Sequence, residues 1–335
     1  MNRRQIVRKG IKVISAVLGI LALTTVAAGY AQAQAFPNKP VRIVTYFSAG
    51  SGPDVVIRVV ADQLSKIWTQ PVIVENKPGA NGIIAIDALK TSAPDGYTLG
   101  VTDSAVLTIN PYLYPTMKLQ ADKDLTPLSM WFNVPFYLLV PASGQIKTVP
   151  QLIAFAKANP GKLSYGSPTG IGNPGHLGME MFKAETGTDM VLVPYKTSGP
   201  MMTDLATGRL QVAWASMGSA RAMLQNGEVV PIAVGAKARQ AVKPEVPTLG
   251  EAGGPANLEV NAWIGLFGPK DMPAAVVAKI NADVDTVLKM PEVTKRIVDL
   301  GNEPVTGNGE MVADLIRSGS ARFGKLIRDL KIKAD

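Results

Sequence analysis

Val41-Arg42-Ile43-Val44-Thr45-Tyr46-Phe47 runs directly into Ser48-Ala49-Gly50-Ser51-Gly52-Pro53-Asp54. The first seven residues are mostly β-branched or aromatic and read as a buried strand. The following small residues read as a loop. Beyond it, Val55, Val56, Val59, Val60 and Leu64 recur at three- and four-residue spacing, which predicts a helix from about Asp54 to Ile67 with Asp54 as its N-cap. The segment is therefore one strand–loop–helix unit. Such a loop can point backbone N–H groups, at the positive end of a helix dipole, at a carboxylate or phosphate. It can equally be a plain turn.

The same unit repeats outward. Pro71–Val74 reads as a strand, Asn76-Lys77-Pro78-Gly79 as a turn, Ile83–Leu89 as a helix and Tyr97–Val101 as a third strand. From Leu125 to Val140 two apolar runs are broken by Asn133 and Pro135. The alternation then restarts, with helices predicted at Val149–Ala158, Gly175–Thr186, Ser198–Ala206 and Met217–Gln225, and strands at Leu163–Gly166, Val191–Val193, Gln211–Trp214 and Val229–Val234. A strand at Ala262–Phe267, an amphipathic helix at Pro273–Leu288 and a helix at Glu310–Leu330 follow. Two sets of alternating strands and helices predict an α/β protein of two lobes, each a mostly parallel sheet flanked by helices. The length of 335 residues suits about two domains.

The N-terminus reads as a cleavable secretory signal over residues 1–35. Arg3, Arg4, Arg8, Lys9 and Lys12 precede an apolar stretch from Val13 to about Ala28, and Ala31-Gln32-Ala33 supplies a small-x-small end. The apolar stretch falls short of the ~20 residues that span a bilayer. Removing the segment lowers the formal charge from +8 to about +3, too little to argue for nucleic acid. The chain has no cysteine and one histidine, which excludes disulfides, thiol catalysis and metal sites built on several His or Cys ligands. No cofactor is expected, and the periplasm is the expected location.

Four loops can carry chemistry. The first is Phe47 to Asp54. The second, Gly170-Ile171-Gly172-Asn173-Pro174-Gly175, is a literal G-x-G-x-x-G between a strand and a helix, flanked by Ser167 and Thr169. The dinucleotide reading needs an acidic residue about 20 positions on, at a strand end. Asp189 comes too early and precedes its strand, so the loop keeps only its helix N-terminus with free N–H groups. The third is His176, which would have to serve any Ser–His–Asp triad, but no G-x-S-x-G elbow exists; a structural role at a helix start is favoured. The fourth is Trp214-Ala215-Ser216, a strand end entering a helix, where Trp214 either walls a pocket or packs. No pair of carboxylates suits acid–base work. Anion capture between two lobes describes a receptor better than a catalyst.

With these loops in place, the chain resembles the extracytoplasmic solute receptors of tripartite tricarboxylate transporters, the Bug proteins. The resemblance spans the chain from Phe36-Pro37-Asn38-Lys39-Pro40 onward. It is carried by Val74-Glu75-Asn76-Lys77-Pro78-Gly79-Ala80, Ala93-Pro94-Asp95-Gly96-Tyr97-Thr98-Leu99, Ile109-Asn110-Pro111, Pro160-Gly161-Lys162-Leu163-Ser164-Tyr165-Gly166-Ser167, His176-Leu177, Val193-Pro194-Tyr195-Lys196, Asp204-Leu205 and Val246-Pro247-Thr248. It implies a two-lobed periplasmic-binding-protein fold of the second type, hinged near Asn133 and Val260. Residues 36–133 and 260–335 would form one lobe and 134–259 the other.

The ligand's carboxylate would be held by the first loop and the loop before the His-Leu helix. The residues so implicated are Phe47, Ser48, Ala49, Gly50, Ser51, Gly52, Asp54, Ser104, Ser167, Thr169, Gly172, His176, Tyr195, Trp214, Ala215 and Ser216. The chain departs from the family pattern at Tyr46–Ser51, where Pro-Phe-Pro-Pro-Gly-Gly is common, and at Ala215, where many members have Asp. Alanine there would favour a mono- or dicarboxylate without an amino group, aromatic acids included, beside Trp214 and Ser216.

The resemblance further implies a monomer that serves a membrane permease of one large and one small subunit. A sensory receptor for a membrane histidine kinase is the first alternative. A periplasmic hydrolase using Ser51 or Ser167 with His176 is a remote one.

Overall fold

The computed structural model describes residues 36–114, 116–168 and 170–333. The predicted signal segment and Thr169 lie outside them. Ten strands run β1 (Val41–Thr45), β2 (Val72–Asn76), β3 (Thr98–Asp103), β4 (Leu125–Pro141), β5 (Ser164–Ser167), β6 (Val191–Pro194), β7 (Val212–Ser216), β8 (Val229–Val234), β9 (Asn261–Pro269) and β10 (Glu303–Asn308). The helices of the first half are α1 (Gly52–Trp68), α2 (Ile83–Lys90), α3 (Ser104–Thr108), α4 (Asn110–Leu113) and α5 (Ala121–Asp124). Those of the middle are α6 (Val149–Ala158), α7 (Pro174–Thr186), α8 (Ser198–Ala206) and α9 (Met217–Gln225), and the tail carries α10 (Ala274–Leu288), α11 (Pro291–Asp299) and α12 (Gly309–Asp329).

The βα alternation produces two parallel three-strand groups. In the first, β1 lies between β2 and β3; in the second, β5 lies between β6 and β7. Antiparallel strands join them, in the order β2-β1-β3-β9-β4-β7-β5-β6, with β8 and β10 also on β4. The 17-residue β4 is the link. Its first part, through Pro135, pairs with β9 and β10, and from Phe136 it pairs with β7 and β8. The two apolar runs thus form one strand. Pro127 sits at a register shift and Pro135 at the change of partners, places where a missing N–H is tolerated.

Each half has its own core. Trp214, Tyr165, Phe182 and Leu152 pack on one face of the second half, and Tyr137, Met201 and Leu205 on the other. Phe267, Leu107 and Met130 centre a cluster in the first half. The helix α1 starts as its sequence dictates, with Ser51 as extended N-cap and Pro53 in the first turn, where no intrahelical N–H is needed. Its stripe Val56, Ile57, Val60, Leu64 is fully buried, and each such side chain contributes about 1.5–3 kcal/mol of burial. It ends at Thr69, in the left-handed region at φ 52°. The predicted cap was Asp54; Ser51 takes that place because the helix begins two residues earlier.

The C-terminal helix α12 crosses both halves. Ile327 packs with Ile109 and Leu113 of the first half and with Leu177 of the second. No described helix is long and apolar enough to cross a membrane.

Candidate functional site

All six strands of the two parallel groups lead into a helix on one side of a single cavity of about 960 Å³. This is the crevice that an open parallel sheet presents outside the C-terminal ends of its strands. The first half contributes Ser51 at the start of α1 and Asp103 at the start of α3. The second half contributes Asn173 before α7, Lys196 and Ser198 around the start of α8, and Ser216 before α9. Helix N-termini carry roughly half a positive charge each, so the wall of this cavity favours an anion.

The first loop is held from behind. The Asp54 side chain is completely buried; its Oδ2 accepts from the Gly50 N–H at 2.7 Å and from Arg58 Nε at 2.9 Å, and its Oδ1 accepts from Asn76 Nδ2 at 2.7 Å. Burial alone would raise the Asp54 pKa, but the bonds from Arg58, Asn76 and Gly50 outweigh it and hold the carboxyl below the ordinary aspartate value. Asn76 also donates to the Phe47 carbonyl at 2.9 Å. The loop's own turn is closed by the Ser51 N–H on the Ser48 carbonyl at 3.1 Å, with Gly50 at φ +79°. The outcome is that Phe47, Ser48 and Ser51 face the cavity, whereas Ala49, Gly50, Gly52 and Asp54 do not line it. The hydroxyl oxygen of Ser51 is buried without a hydrogen-bond partner. Gly52 has neither a positive φ nor any atom within 4 Å of a built Cβ, so neither conformation nor space demands glycine there.

The second loop is held from within. Asn173 Oδ1 caps α7 by accepting from the His176 N–H at 3.1 Å, while its Nδ2 donates to Ser167 Oγ at 2.6 Å, to the Gly170 carbonyl at 2.9 Å and to the Pro168 carbonyl. Ser167 Oγ donates to the Gly170 carbonyl at 2.5 Å. His176 is buried and its Nδ1 accepts from the Gly172 N–H at 3.0 Å. Burial, with Lys183 adding to it and Glu180 opposing it, pushes the imidazole pKa down, so the ring stays neutral and keeps its acceptor. Ser167 and His176 both shape the loop and neither lines the cavity, which for His176 is the structural place at a helix start favoured from the sequence. The Gly172 N–H, expected to be free, is spent on His176. Gly172 itself does line the cavity, at φ +87°, and presses on Leu113 of the first half.

Tyr195 lines the cavity with its hydroxyl donated to Asp204 at 2.7 Å; burial and that bond raise the phenol pKa to about 12. Ser216 Oγ lies 3.1 Å from Ser219 Oγ, which reaches Ser198 Oγ at 3.5 Å, so three hydroxyls join the starts of α8 and α9 on the wall.

Three further residues implicated by the sequence point away from the cavity, Trp214 taking the packing alternative. Trp214 is fully buried in the core against α7. Ala215 points to the opposite face, among Tyr137, Leu139 and Met201, and is 1% exposed. Ser104 is buried, with its hydroxyl accepting from the Trp263 N–H at 3.3 Å. Ala215 and Trp214 thus say nothing about a ligand amine or an aromatic ring. The residues that the sequence reading did not single out include Tyr46, Asp103, Asn81, Asn110 and Lys196, all on the wall. Asp103 was legible only as an acidic N-cap after a buried strand; its side chain accepts from the Val106 N–H at 3.1 Å. Among the described residues no three His, Asp or Glu side chains gather to hold a metal.

Known proteins resemble the chain over this whole architecture. Residues 56–332 match the family model for the tripartite tricarboxylate transporter family receptor. Protein BugT of Bordetella pertussis is 30% identical over 319 residues, covering 95% of this chain and 97% of BugT. The R. palustris protein Rpa4515, solved with adipate, is 30% identical with a TM-score of 0.76, covering 89% of this chain and 99% of its own. MatC from Rhodopseudomonas palustris, solved with bound malate, is 28% identical with a TM-score of 0.72, covering 87% and 100%. The fold is accordingly the two-lobed α/β fold of periplasmic binding proteins.

Proposed function

This chain belongs to the family of tripartite tricarboxylate transporter receptors, and we propose on that ground that it captures a small mono- or dicarboxylate between its lobes and delivers it to a membrane permease. The family is one of solute-binding receptors, not enzymes. One observation carries the reading. The N-termini of α1, α7, α8 and α9 open onto one cavity, and the buried Ser51 hydroxyl there has no partner of its own. A ligand carboxylate would complete that hydrogen bond and meet the aligned helix dipoles. The adipate and malate found in two relatives agree with this class.

On this reading residues 36–133 with 260–335 form one lobe and 134–259 the other, and Asn133 and Val260 are the pivots. Phe47, Ser48, Ser51, Gly172, Tyr195 and Ser216 meet the ligand. The chain acts as a monomer in the periplasm after loss of its first 33 to 35 residues. Isothermal titration of adipate and L-malate into the mature chain tests the reading. Binding of either at one site, weakened in Ser51→Ala, supports it; equal binding in wild type and variant refutes the assigned site. A sensory role would use the same ligand-bound form, and a neighbouring kinase gene in place of permease genes would favour it.

A further inference from the structure

The cavity that recruits an anion also holds a carboxyl group of its own. Asp103 lines the wall at the junction of β3 and α3. Its Oδ2 accepts from the Tyr46 hydroxyl at 2.6 Å and its Oδ1 from the Val106 N–H at 3.1 Å. Tyr46 in turn lies against Phe47 of the first loop, with ring centroids 4.4 Å apart. Among the described residues, the other titratable groups on the wall are Lys196, from the loop after β6, and the phenols Tyr46, Tyr114 and Tyr195.

Among the described residues no basic side chain of the packed elements pairs with it. β9 presents Ala262 and Ile264 to the cavity. On α12, which packs on α3, Arg322 donates to the Glu259 carbonyl and Met181, Arg328 lies over Tyr112, Arg317 pairs with Asp314 and Lys325 with Asp329. The hydrogen bonds to the Asp103 side chain come from the Tyr46 hydroxyl and the Val106 N–H. A bound carboxylate would therefore share the cavity with a carboxylate that has no basic partner.

We propose that Asp103 takes up one proton from solvent when the anionic ligand binds, so that this receptor captures a carboxylate and a proton together and Asp103 sets which acids are retained. The proton adds to a carboxylate oxygen of Asp103 and no bond in the ligand changes. Tyr46 and Val106 remain donors to the carboxyl, which keeps the site in place in either state. Burial already pushes the Asp103 pKa up, against the lowering by Tyr46 and the amides. A ligand anion acts in the same direction. The proposal rests on the carboxylate-receptor reading above.

Thermal shift and titration calorimetry of the full mature chain test both at once. The probes are adipate, L-malate, benzoate and L-aspartate, each between about pH 6.5 and 8, far enough above ordinary carboxyl pKa values that the ligands stay ionised. The expected result is an acid whose dissociation constant falls by up to about tenfold per pH unit as pH is lowered, with proton uptake seen as a buffer-dependent binding enthalpy. Asp103→Asn keeps an N-capping side chain and should remove the slope while binding more tightly than wild type at pH 8. Tyr46→Phe should move the slope to higher pH, since it removes a bond to the charged form. A slope unchanged in Asp103→Asn overturns the proposal and leaves the receptor reading intact. So does binding of L-aspartate alone that is lost in Asp103→Asn, which would make Asp103 an ionised partner for an ammonium group. Stabilisation by none of the four acids overturns both.

Discussion

Replacing Gly172 by alanine probes whether the two halves must close around the cavity. Gly172 belongs to the second half and sits at φ +87°, and a Cβ built there lies 1.8 Å from Leu113 Cδ1 and 3.3 Å from Leu113 Cγ. Leu113 belongs to the first half and is 5% exposed, so it has little room to turn away. An L-residue in a left-handed conformation costs about 1–2 kcal/mol, and forcing a methyl group into a packed contact costs about 1–3 kcal/mol. The first cost is present whether the halves are open or closed. The second is relieved by separating them.

Closure, and with it ligand binding, should therefore weaken by the second cost alone, about 5- to 150-fold at 1.4 kcal/mol per factor of ten. The ligand-free chain should lose the first cost, about 1–2 kcal/mol, so its melting temperature should fall in Gly172→Ala and should not be restored by trimming Leu113. Titration of adipate or L-malate into wild type, Gly172→Ala, Leu113→Ala and the double variant measures it. Trimming Leu113 makes room, so the double variant should bind more tightly than Gly172→Ala alone. Wild-type affinity in Gly172→Ala, or no recovery in the double variant, would refute the reasoning.

Other consequences follow from the same geometry. His176 has a folded pKa below its unfolded value of about 6.5, so the unfolded chain takes the proton first as pH falls. The stability it contributes is complete above about pH 6.5 and declines as pH drops toward the folded value; urea midpoints from pH 7.5 to 5 should show a slope that His176→Gln lessens, and an identical slope would contradict this. Ala215→Asp should act on stability rather than ligand choice, because it buries an uncompensated charge beside Tyr137 and Met201 at a cost of about 3–5 kcal/mol; a variant of wild-type stability with altered ligand preference would reverse that assignment. Ser51→Ala should weaken carboxylate binding by about 1.5–3 kcal/mol, the worth of one hydrogen bond to a charged group. Ser167→Ala, whose hydroxyl serves Asn173 and Gly170, should lower the melting temperature at least as clearly as it lowers affinity.

Much of the fold was legible because helix periodicity and strand branching agree with the final packing. The predicted helices Val149–Ala158, Ser198–Ala206 and Met217–Gln225 and the strand Val229–Val234 coincide with the observed ones residue for residue. The strand Glu303–Asn308 went unread, since Pro304 and Gly307 look like loop residues; it pairs with β4 across a register shift that accommodates them. Helix Pro291–Asp299 also went unread, although Pro291 at its start and buried Val293 and Ile297 four apart are ordinary helix signals.

The site was legible as loops but not as side chains. Strand β7 is buried on both faces, so its sequence has no polar–apolar alternation to say which way Trp214 and Ala215 point. The polar residues of the loops gave no sign of which would face the ligand. Asp54, Ser167, Asn173 and His176 are drawn into bonds that shape the loops, and those partners come from residues distant in the chain or from backbone amides. Asp103 and Tyr46 meet only because β1 and β3 are adjacent and parallel.

The central claim is that converging helix N-termini make this cavity a receptor for small carboxylates. A thermal-shift screen of the mature chain against matched sets of carboxylates, neutral sugars and polyamines tests it most directly. A ligand present at 100 times its dissociation constant adds about 2.7 kcal/mol to folding stability, enough to shift the melting curve clearly. The account predicts that the stabilising compounds are carboxylates and that Ser51→Ala diminishes their effect. Stabilisation confined to sugars or polyamines, or by carboxylates equally in Ser51→Ala, would contradict it.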